Sequence, residues 1–233
     1  MSIPLSVQQF RERHRAEHLG PRYRGRAHFA FTSLCSLALI VASLALVRDL
    51  RPLELVTAPV TFVFANLVEY LAHRGPMHHR RRGLGLLHRR HTMQHHRFYT
   101  REAMACESTR DYQMILFPPV MLLFFFGGAA VPVGLLLYWL ATANVALLFT
   151  ATAMAYYCTY EVLHLAYHLD DTAWLARMPY MRRLRGHHAL HHDPTRMTAC
   201  NFNVSFPIFD RVFGTSLDAV DAGDAGDAGD RAS

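Results

Sequence analysis

The 233-residue sequence contains no lysine, and all 24 of its basic residues are arginine. Cysteine is also scarce: there are four, with no Cys-x-x-Cys pair, so neither a disulfide framework nor a thiolate zinc site is expected. Only 18% of the residues are charged and 52% are hydrophobic, an unusual balance for a soluble protein of this size. This composition indicates a membrane protein. Since the arginines flank apolar runs, lipid headgroups are their nearest anionic partners, and we expect no nucleic-acid partner.

Four apolar stretches are long enough to form helices across a bilayer: residues 29–47, 53–71, 114–131 and 133 to about 157. The first exceeds the usual core of a signal peptide and no small-residue cleavage site follows it, so we predict a retained helix. The sequence thus predicts an all-α integral membrane protein with about four transmembrane helices. We divide it into an Arg-rich cytosolic segment (1–28), a membrane-embedded domain with a helical His-rich cap (29–215) and a disordered acidic tail (216–233).

The arginines also predict the orientation of the chain. Of the 24 arginines, 22 lie in the N-terminal segment, in residues 72–112 or in the C-terminal part, which four crossings place on one side. Positive charge marks the cytosolic side of a membrane. We therefore expect the cap to face the cytosol, in the bacterial cytoplasmic membrane or, in a eukaryote, in the membrane of the endoplasmic reticulum.

Histidine is the residue type that calls for a specific explanation, because 13 of the 16 histidines fall between residues 73 and 192 in a few tight groups. Histidines three or four residues apart share one face of a helix, which describes 164 and 168, then 188, 191 and 192, then 91 and 95 with 96 adjacent. His73 and His78 are five apart, and the intervening Gly75-Pro76 predicts that the helix stops near His73 and turns. Imidazoles brought together in this number predict a metal site.

Few carboxylates accompany these histidines. Glu69, Glu161 and Asp193 are the nearest ones, so a di-iron bundle built on Glu-x-x-His motifs is a poor fit. They suit an outer role, accepting the free ring N–H of a ligand, although ordinary interface charges explain them equally well. His79, His88 and His187 do not match the spacings.

With these motifs, the sequence resembles the fatty acid hydroxylase and sterol desaturase superfamily over roughly residues 55–215. The resemblance lies in HRGPMH (73–78), HTMQHH (91–96), HLAYH (164–168), HALHH (188–192) and the closing NFNVSFPIFDRVFGT (201–215). It implies ten metal ligands, namely His73, His78, His91, His95, His96, His164, His168, His188, His191 and His192. The second motif has one residue more than the frequent His-x2-His-His, so His88 competes with His91 as a ligand. Asn201 and Asn203 are candidate outer donors, with ordinary turn residues as the alternative.

The resemblance implies a di-iron centre, with zinc as the alternative metal, that uses O₂ to hydroxylate or desaturate a lipid. Sterol, fatty acyl, sphingolipid and carotenoid substrates all remain open, and no catalytic residue beyond the metal ligands is predicted. The electrons would come from a ferredoxin or a cytochrome b₅-like donor docking on the arginine-rich face. The alternatives are a zinc-dependent membrane hydrolase and a metal transporter. A transporter needs ionisable groups along its path, and apart from Glu54 at the start of the second span the predicted spans hold only Glu69 and the polar residues Asn66 and Asn144.

Overall fold

The structure, a computed structural model, describes residues 3–170, 172–173 and 177–217, and these form helices and loops without a strand. The predicted all-α fold is confirmed. The helices are α1 (Leu5–His18), α2 (Gly25–Ala45), α3 (Thr57–Ala72), α4 (Gly85–His88), α5 (His96–Phe98), α6 (Pro119–Leu123), α7 (Val131–Leu140), α8 (Ala143–Tyr167), α9 (Pro179–His191) and α10 (Ile208–Val212). Nearly all of the predicted acidic tail, residues 218–233, lies outside the described residues, so its disorder stays a prediction.

Five short segments of other helical geometry join these helices. Two are 3₁₀ segments, Pro52–Val56 and Thr109–Met114, and three are π-helical: His73–Met77, Arg89–His95 and Phe124–Ala130. The segment His73–Met77 continues directly from α3, so the helix does not stop near His73 as the Gly-Pro pair predicted. It widens instead, because the ring of Pro76 would clash with a carbonyl one turn earlier in a regular α-helix.

Three helical stretches are long and apolar enough to cross a membrane: Gly25–Ala45, Pro52–Met77 and Thr109–Leu140. Their outward surfaces are apolar, as Leu34 at 64% exposure and Trp139 at 80% exposure illustrate. Large apolar side chains on the outside of a helix bundle are stable in contact with lipid rather than with water. These stretches make the chain a membrane protein.

The last two predicted spans differ from the structure at their boundary. The sequence placed the break near residue 132, whereas the helical path continues through Pro132 to Leu140. Pro132 is tolerated within this continuous path because it directly follows the π-helical segment Phe124–Ala130, whose altered hydrogen-bond pattern accommodates the missing N–H. The turn comes at Ala141, and the Thr142 hydroxyl begins α8 by accepting the N–H of Val145. Since α8 is not among the three stretches, the fourth crossing stays a prediction.

Helix α8 is the central helix and packs against α2, α3 and α7. The polar residues of the predicted spans serve this packing. Asn66 on α3 donates to the Tyr156 hydroxyl on α8, with an N···O distance of 2.7 Å. At the far end of the bundle, Asn144 donates to Glu54 at 2.9 Å and ties α8 to the turn before α3. These side chains therefore hold helices together.

The N-terminal helix α1 packs against α5 in the His-rich cap, by which we mean the described parts of residues 72–112 and 164–217. Arg11 is fully buried and donates to the Phe98 carbonyl at 2.7 Å, and it forms an ion pair with Glu107 at 2.8 Å. Arg15 donates through Nε and Nη2 to the Asp111 carboxylate at 2.8 Å, and its Nη1 also pairs with Glu107 at 2.8 Å. A buried arginine needs such partners, and here they fix α1 against the segment that carries the second histidine motif.

Candidate metal centre

The structure brings the ten predicted histidines together in the interior of the cap. All ten side chains are buried, with at most 5% exposure. They form two groups, in each of which every member offers a ring nitrogen within 4.8 Å of the others. The first histidine group comprises His73, His78, His91, His96 and His191, and the second histidine group comprises His95, His164, His168, His188 and His192.

The first histidine group is built on π-helical turns. His73 and His78 are five residues apart across the segment His73–Met77, and His91 and His96 are five apart across the segment Arg89–His95. A π-helix has hydrogen bonds between residues five apart, so such pairs share one side of it. His191 from α9 completes the group.

The second histidine group is built on regular α-helical geometry. His164 and His168 lie one turn apart at the end of α8, and His188 and His192 lie one turn apart at the end of α9. His95, from the π-helical segment, completes the group. The groups adjoin each other, since the rings of His96 and His192 stack with centroids 4.3 Å apart.

The distances between ring nitrogens fit metal coordination. Within the groups, neighbouring Nε2 atoms lie 2.7–3.2 Å apart, from His73–His91 at the short end to His168–His188 at the long end. A metal–imidazole bond of about 2.1 Å, with ligands at right angles, separates neighbouring nitrogens by about 3.0 Å. The spacing therefore matches imidazoles that surround a common ion.

Hydrogen bonds at the other ring nitrogen orient five of these rings. The Nδ1 atoms of His95, His168 and His191 each lie 2.8 Å from a backbone carbonyl, and that of His192 lies 2.6 Å from one. His73 Nδ1 contacts the Phe202 carbonyl in the same way. A carbonyl only accepts, so Nδ1 carries the proton and Nε2 presents its lone pair to the centre of the group.

Thr92 performs the same task for His78 with a side chain. Its hydroxyl donates to the Met77 carbonyl at 2.7 Å, and its oxygen lies 3.3 Å from His78 Nδ1, from which it can accept. The result is that His78 and His191 direct two Nε2 lone pairs at each other across 3.0 Å. His95 and His192 do so across 3.1 Å in the second group. Two acceptors at this distance repel unless a cation binds both, and the donor set thus fits a metal in each group.

The groups are also in the protonation state that metal binding requires. Burial lowers the pKa of His191 to about 4. Burial and the neighbouring imidazoles hold the pKa values of His96 and His192 well below their usual range. The rings are therefore neutral near pH 7, with their lone pairs free for a metal of intermediate softness such as iron or zinc.

The remaining histidines of the cap lie outside both groups. His79 is exposed, and His88, the sequence competitor of His91, is partly buried and is not a member of either group. His187 is buried but directs Nε2 at Asp210, 3.4 Å away. The extra residue in the second motif is absorbed by the π-helical turn, which is how His91 reaches His96 at an Nε2–Nε2 distance of 3.0 Å.

The three carboxylates predicted to support the ligands hold backbone instead. Glu69 accepts the N–H groups of residues 204–205, and Glu161 accepts the N–H of Phe117 at 3.3 Å. Asp193 accepts a backbone N–H two residues further along and pairs with an exposed arginine. Among the described residues, none of the three hydrogen bonds to a ring of the ten histidines; backbone carbonyls occupy that position.

Asn201 and Asn203 shape the loop after α9 and do not contact the rings. Asn201 adopts a left-handed conformation with φ of 58° and donates to a carbonyl of α9, while Asn203 donates to a carbonyl of α3. The fully buried Asp210 accepts the N–H groups of Phe202 and Asn203 at 2.9 and 2.7 Å. Asp210 thereby fixes the loop whose Phe202 carbonyl orients His73, a role that we did not predict.

Comparison with known proteins agrees with these observations. A family model described as "Fatty acid hydroxylase" matches residues 58–215, well over half of the chain and a stretch that contains all ten histidines. No curated protein and no solved structure matches the chain. The family, the apolar helices and the two histidine groups indicate a membrane-bound oxidoreductase with a metal centre. The chain belongs to the fatty acid hydroxylase family, as its histidine motifs predicted.

Proposed function

We propose that this protein is an O₂-dependent lipid hydroxylase or desaturase whose ten histidines bind two iron ions, one in each histidine group. The observation that carries the proposal is the pair of buried five-imidazole groups with converging Nε2 lone pairs. Imidazole is a good ligand for iron, and two adjacent sites of this kind suit a reaction that uses O₂. When bound, the iron pair supplies the activation of O₂ and the oxidation of a C–H bond.

The residues of this chain bind, orient and shield the centre. The imidazoles hold the ions, while the backbone carbonyls and the Thr92 hydroxyl fix the direction of six rings. Burial excludes water, which protects the reaction from side products. For hydroxylation, one C–H bond and O₂ take up two electrons and two protons to give an alcohol and water. For desaturation, two adjacent C–H bonds give a C=C bond and two waters with the same electrons and protons.

A lipid substrate is supported by an apolar passage that reaches both histidine groups. Its wall includes His91 of the first group and His95 and His164 of the second, and the remainder is mainly aliphatic and aromatic. Part of that wall belongs to the membrane-capable stretch Thr109–Leu140, and we propose that a lipid enters from the bilayer on this side. Fatty acyl, sphingolipid, sterol and carotenoid substrates are all compatible with an apolar wall.

The reaction needs an external source of two electrons, and we propose a ferredoxin or a cytochrome b₅-like protein. Arg80, Arg81, Arg82 and Arg89 are exposed on the cap and offer positive charge to an acidic partner. The proposal places the cap on the cytosolic side of a multi-pass protein, in agreement with the distribution of arginine.

Metal analysis and lipid mass spectrometry test this proposal together. We expect purified protein to contain about two iron ions per chain, one for each group. Cells that express the chain should contain a lipid with one added oxygen or two fewer hydrogens, and this product should disappear without O₂. The control is a chain with His191 and His95 both replaced by alanine.

Two outcomes would contradict the proposal. Stoichiometric zinc, with activity that does not depend on O₂, would favour a membrane hydrolase. An unchanged lipid profile with O₂ and a reductant supplied, together with movement of metal across vesicles, would favour a transporter.

A further inference from the structure

An arginine lies in the wall of the passage that leads to the histidine groups. Arg90 is partly buried and shares this wall with His91, His95 and His164, while most of the other lining side chains are apolar. The passage is narrow, with a volume of about 40 Å³, which is room for one or two water molecules. Its occupant is therefore slender, or flexible wall residues such as Met121 move to admit it.

Arg90 has hydrogen-bond partners but no counter-ion. Its Nη2 donates to the Gln113 carbonyl at 2.7 Å, and its Nη1 lies 3.4 Å from the Gln94 side-chain oxygen. Among the described residues, no carboxylate forms an ion pair with it. Withdrawing a guanidinium even partly from water without a negative partner is costly, and Arg11, which is fully buried, does have one. An anion bound in the passage would offset that cost.

The surface beside the passage is positively charged, like Arg90 itself. Leu86 lines the passage and also lines a second surface cavity, which is bordered by Arg80 and Arg89 and by no carboxylate. An anion that approaches Arg90 along this side therefore meets favourable charge before it arrives. The exposed side chain of Leu86 adds an apolar contact at the same place.

The wall of the passage combines two parts of the chain that differ in character. Arg90 and Leu87 belong to the cap, outside the three membrane-capable stretches, while Phe117, Pro118 and Met121 belong to Thr109–Leu140. The arrangement suits a molecule with a charged end and a long apolar end. Its charged end would meet Arg90 and its chain would follow the wall towards the bilayer, past the histidines.

We propose that the substrate is a single-chain lipid with an anionic head, a carboxylate or a phosphate, that binds Arg90 through charge-assisted hydrogen bonds. This inference rests on the proposed lipid oxidation, and it excludes uncharged sterols and carotenoids as substrates. Because Arg90 and three of the histidines line the same passage, the chain of the bound lipid lies within reach of the histidine groups.

Binding measurements test the inference without activity. Purified chain in nanodiscs of uncharged lipid is titrated with hexadecanoate, hexadecyl phosphate and hexadecan-1-ol, each displacing a fluorescent fatty acid. We expect the anions to bind at least about tenfold more tightly than the alcohol. The stronger of the two anions identifies the head group. Equal affinity for all three ligands would overturn the inference, and so would inorganic phosphate displacing the probe as well as hexadecyl phosphate does.

Variants assign the effect to one side chain. Arg90→Gln should lose the preference for the anions while its affinity for the alcohol stays the same, and Arg90→Lys should keep most of the preference. Arg82 is exposed and lines neither cavity, so Arg82→Gln should bind all three ligands with the affinities of the unmodified protein. Anion preference that persists in a folded Arg90→Gln protein would refute the role of Arg90. Iron content and O₂-dependent lipid products are measured separately, so a failure of the proposed function is distinguishable from a failure here.

Discussion

The two histidine groups contain the same number of histidines but are built on different backbones. The second group uses pairs one α-helical turn apart, whereas the first uses pairs five residues apart on π-helical turns. Each group also takes one histidine from the kind of helix on which the other is built. The first group includes His191 from α9, and the second includes His95 from a π-helical segment. Equivalent donor sets can therefore be built from unlike local structure, and the group on the less common backbone depends more on what surrounds it.

The largest effects on metal content and activity should come from replacing His191 and His95, the histidines that complete the two groups. We expect His191→Ala to remove the ion of the first group and His95→Ala that of the second, which leaves about one metal per chain. Activity should fall by at least about 100-fold in both variants, since both ions are needed and losing a direct ligand exceeds the effect of losing its support. Metal analysis and product formation measure the two consequences.

His79→Ala is the matched control, because His79 is exposed, adjacent to His78 and outside both groups. It should retain both metals and full activity. Two ions per chain in both His191→Ala and His95→Ala would count heavily against the ligand assignment.

A smaller effect, confined to the first group, is expected at Thr92. Thr92→Val keeps the shape of the side chain but removes the oxygen that accepts from His78 Nδ1. Loss of such support typically weakens metal binding by about 10- to 100-fold. Competition with a chelator should show one weakened site and one unchanged site.

Thr92→Ser restores the hydroxyl and should restore the affinity. A purely structural role for Thr92 predicts instead that the serine variant, which lacks the methyl group, is the weaker of the two. Equal weakening of both sites by Thr92→Val would also contradict a role that acts through His78.

The sequence predicted the second group more securely than the first. The spacings of 164 with 168 and of 188 with 192 imply a shared helix face, and α8 and α9 provide it. A π-helical turn has no characteristic periodicity in a sequence. The extra residue in HTMQHH therefore left His88 as a competitor of His91 for the ligand position. The structure places His91 in a group and His88 outside both; the ligand roles themselves stay a prediction.

Other features had weaker signals or none. Backbone carbonyls orient five rings, and a carbonyl carries no residue identity that a sequence could reveal. Asp210 lies in the quoted closing motif, so the family resemblance offered a signal for it, but its bonds to residues 202 and 203 depend on tertiary structure. The all-α membrane fold followed from apolar runs alone, whereas the break before α8 was misplaced because the helical path continues through Pro132, directly after a π-helical segment.

The smallest effect should come from Pro76, which disfavours regular α-helix within the first π-helical segment. Pro76→Ala removes a clash worth about 3 kcal/mol in an α-helix, so the α-helical alternative competes better with the π-helical turn. His73 and His78 would then share one side of the helix less often, and the metal affinity of the first group should fall several-fold. Pro179→Ala is the control, because Pro179 lies in the first turn of α9, where proline costs little. Chelator competition should show no change for Pro179→Ala. If Pro76→Ala also binds both metals normally, the π-helical turn does not depend on the proline, and the contrast between the two backbones must be attributed to tertiary packing.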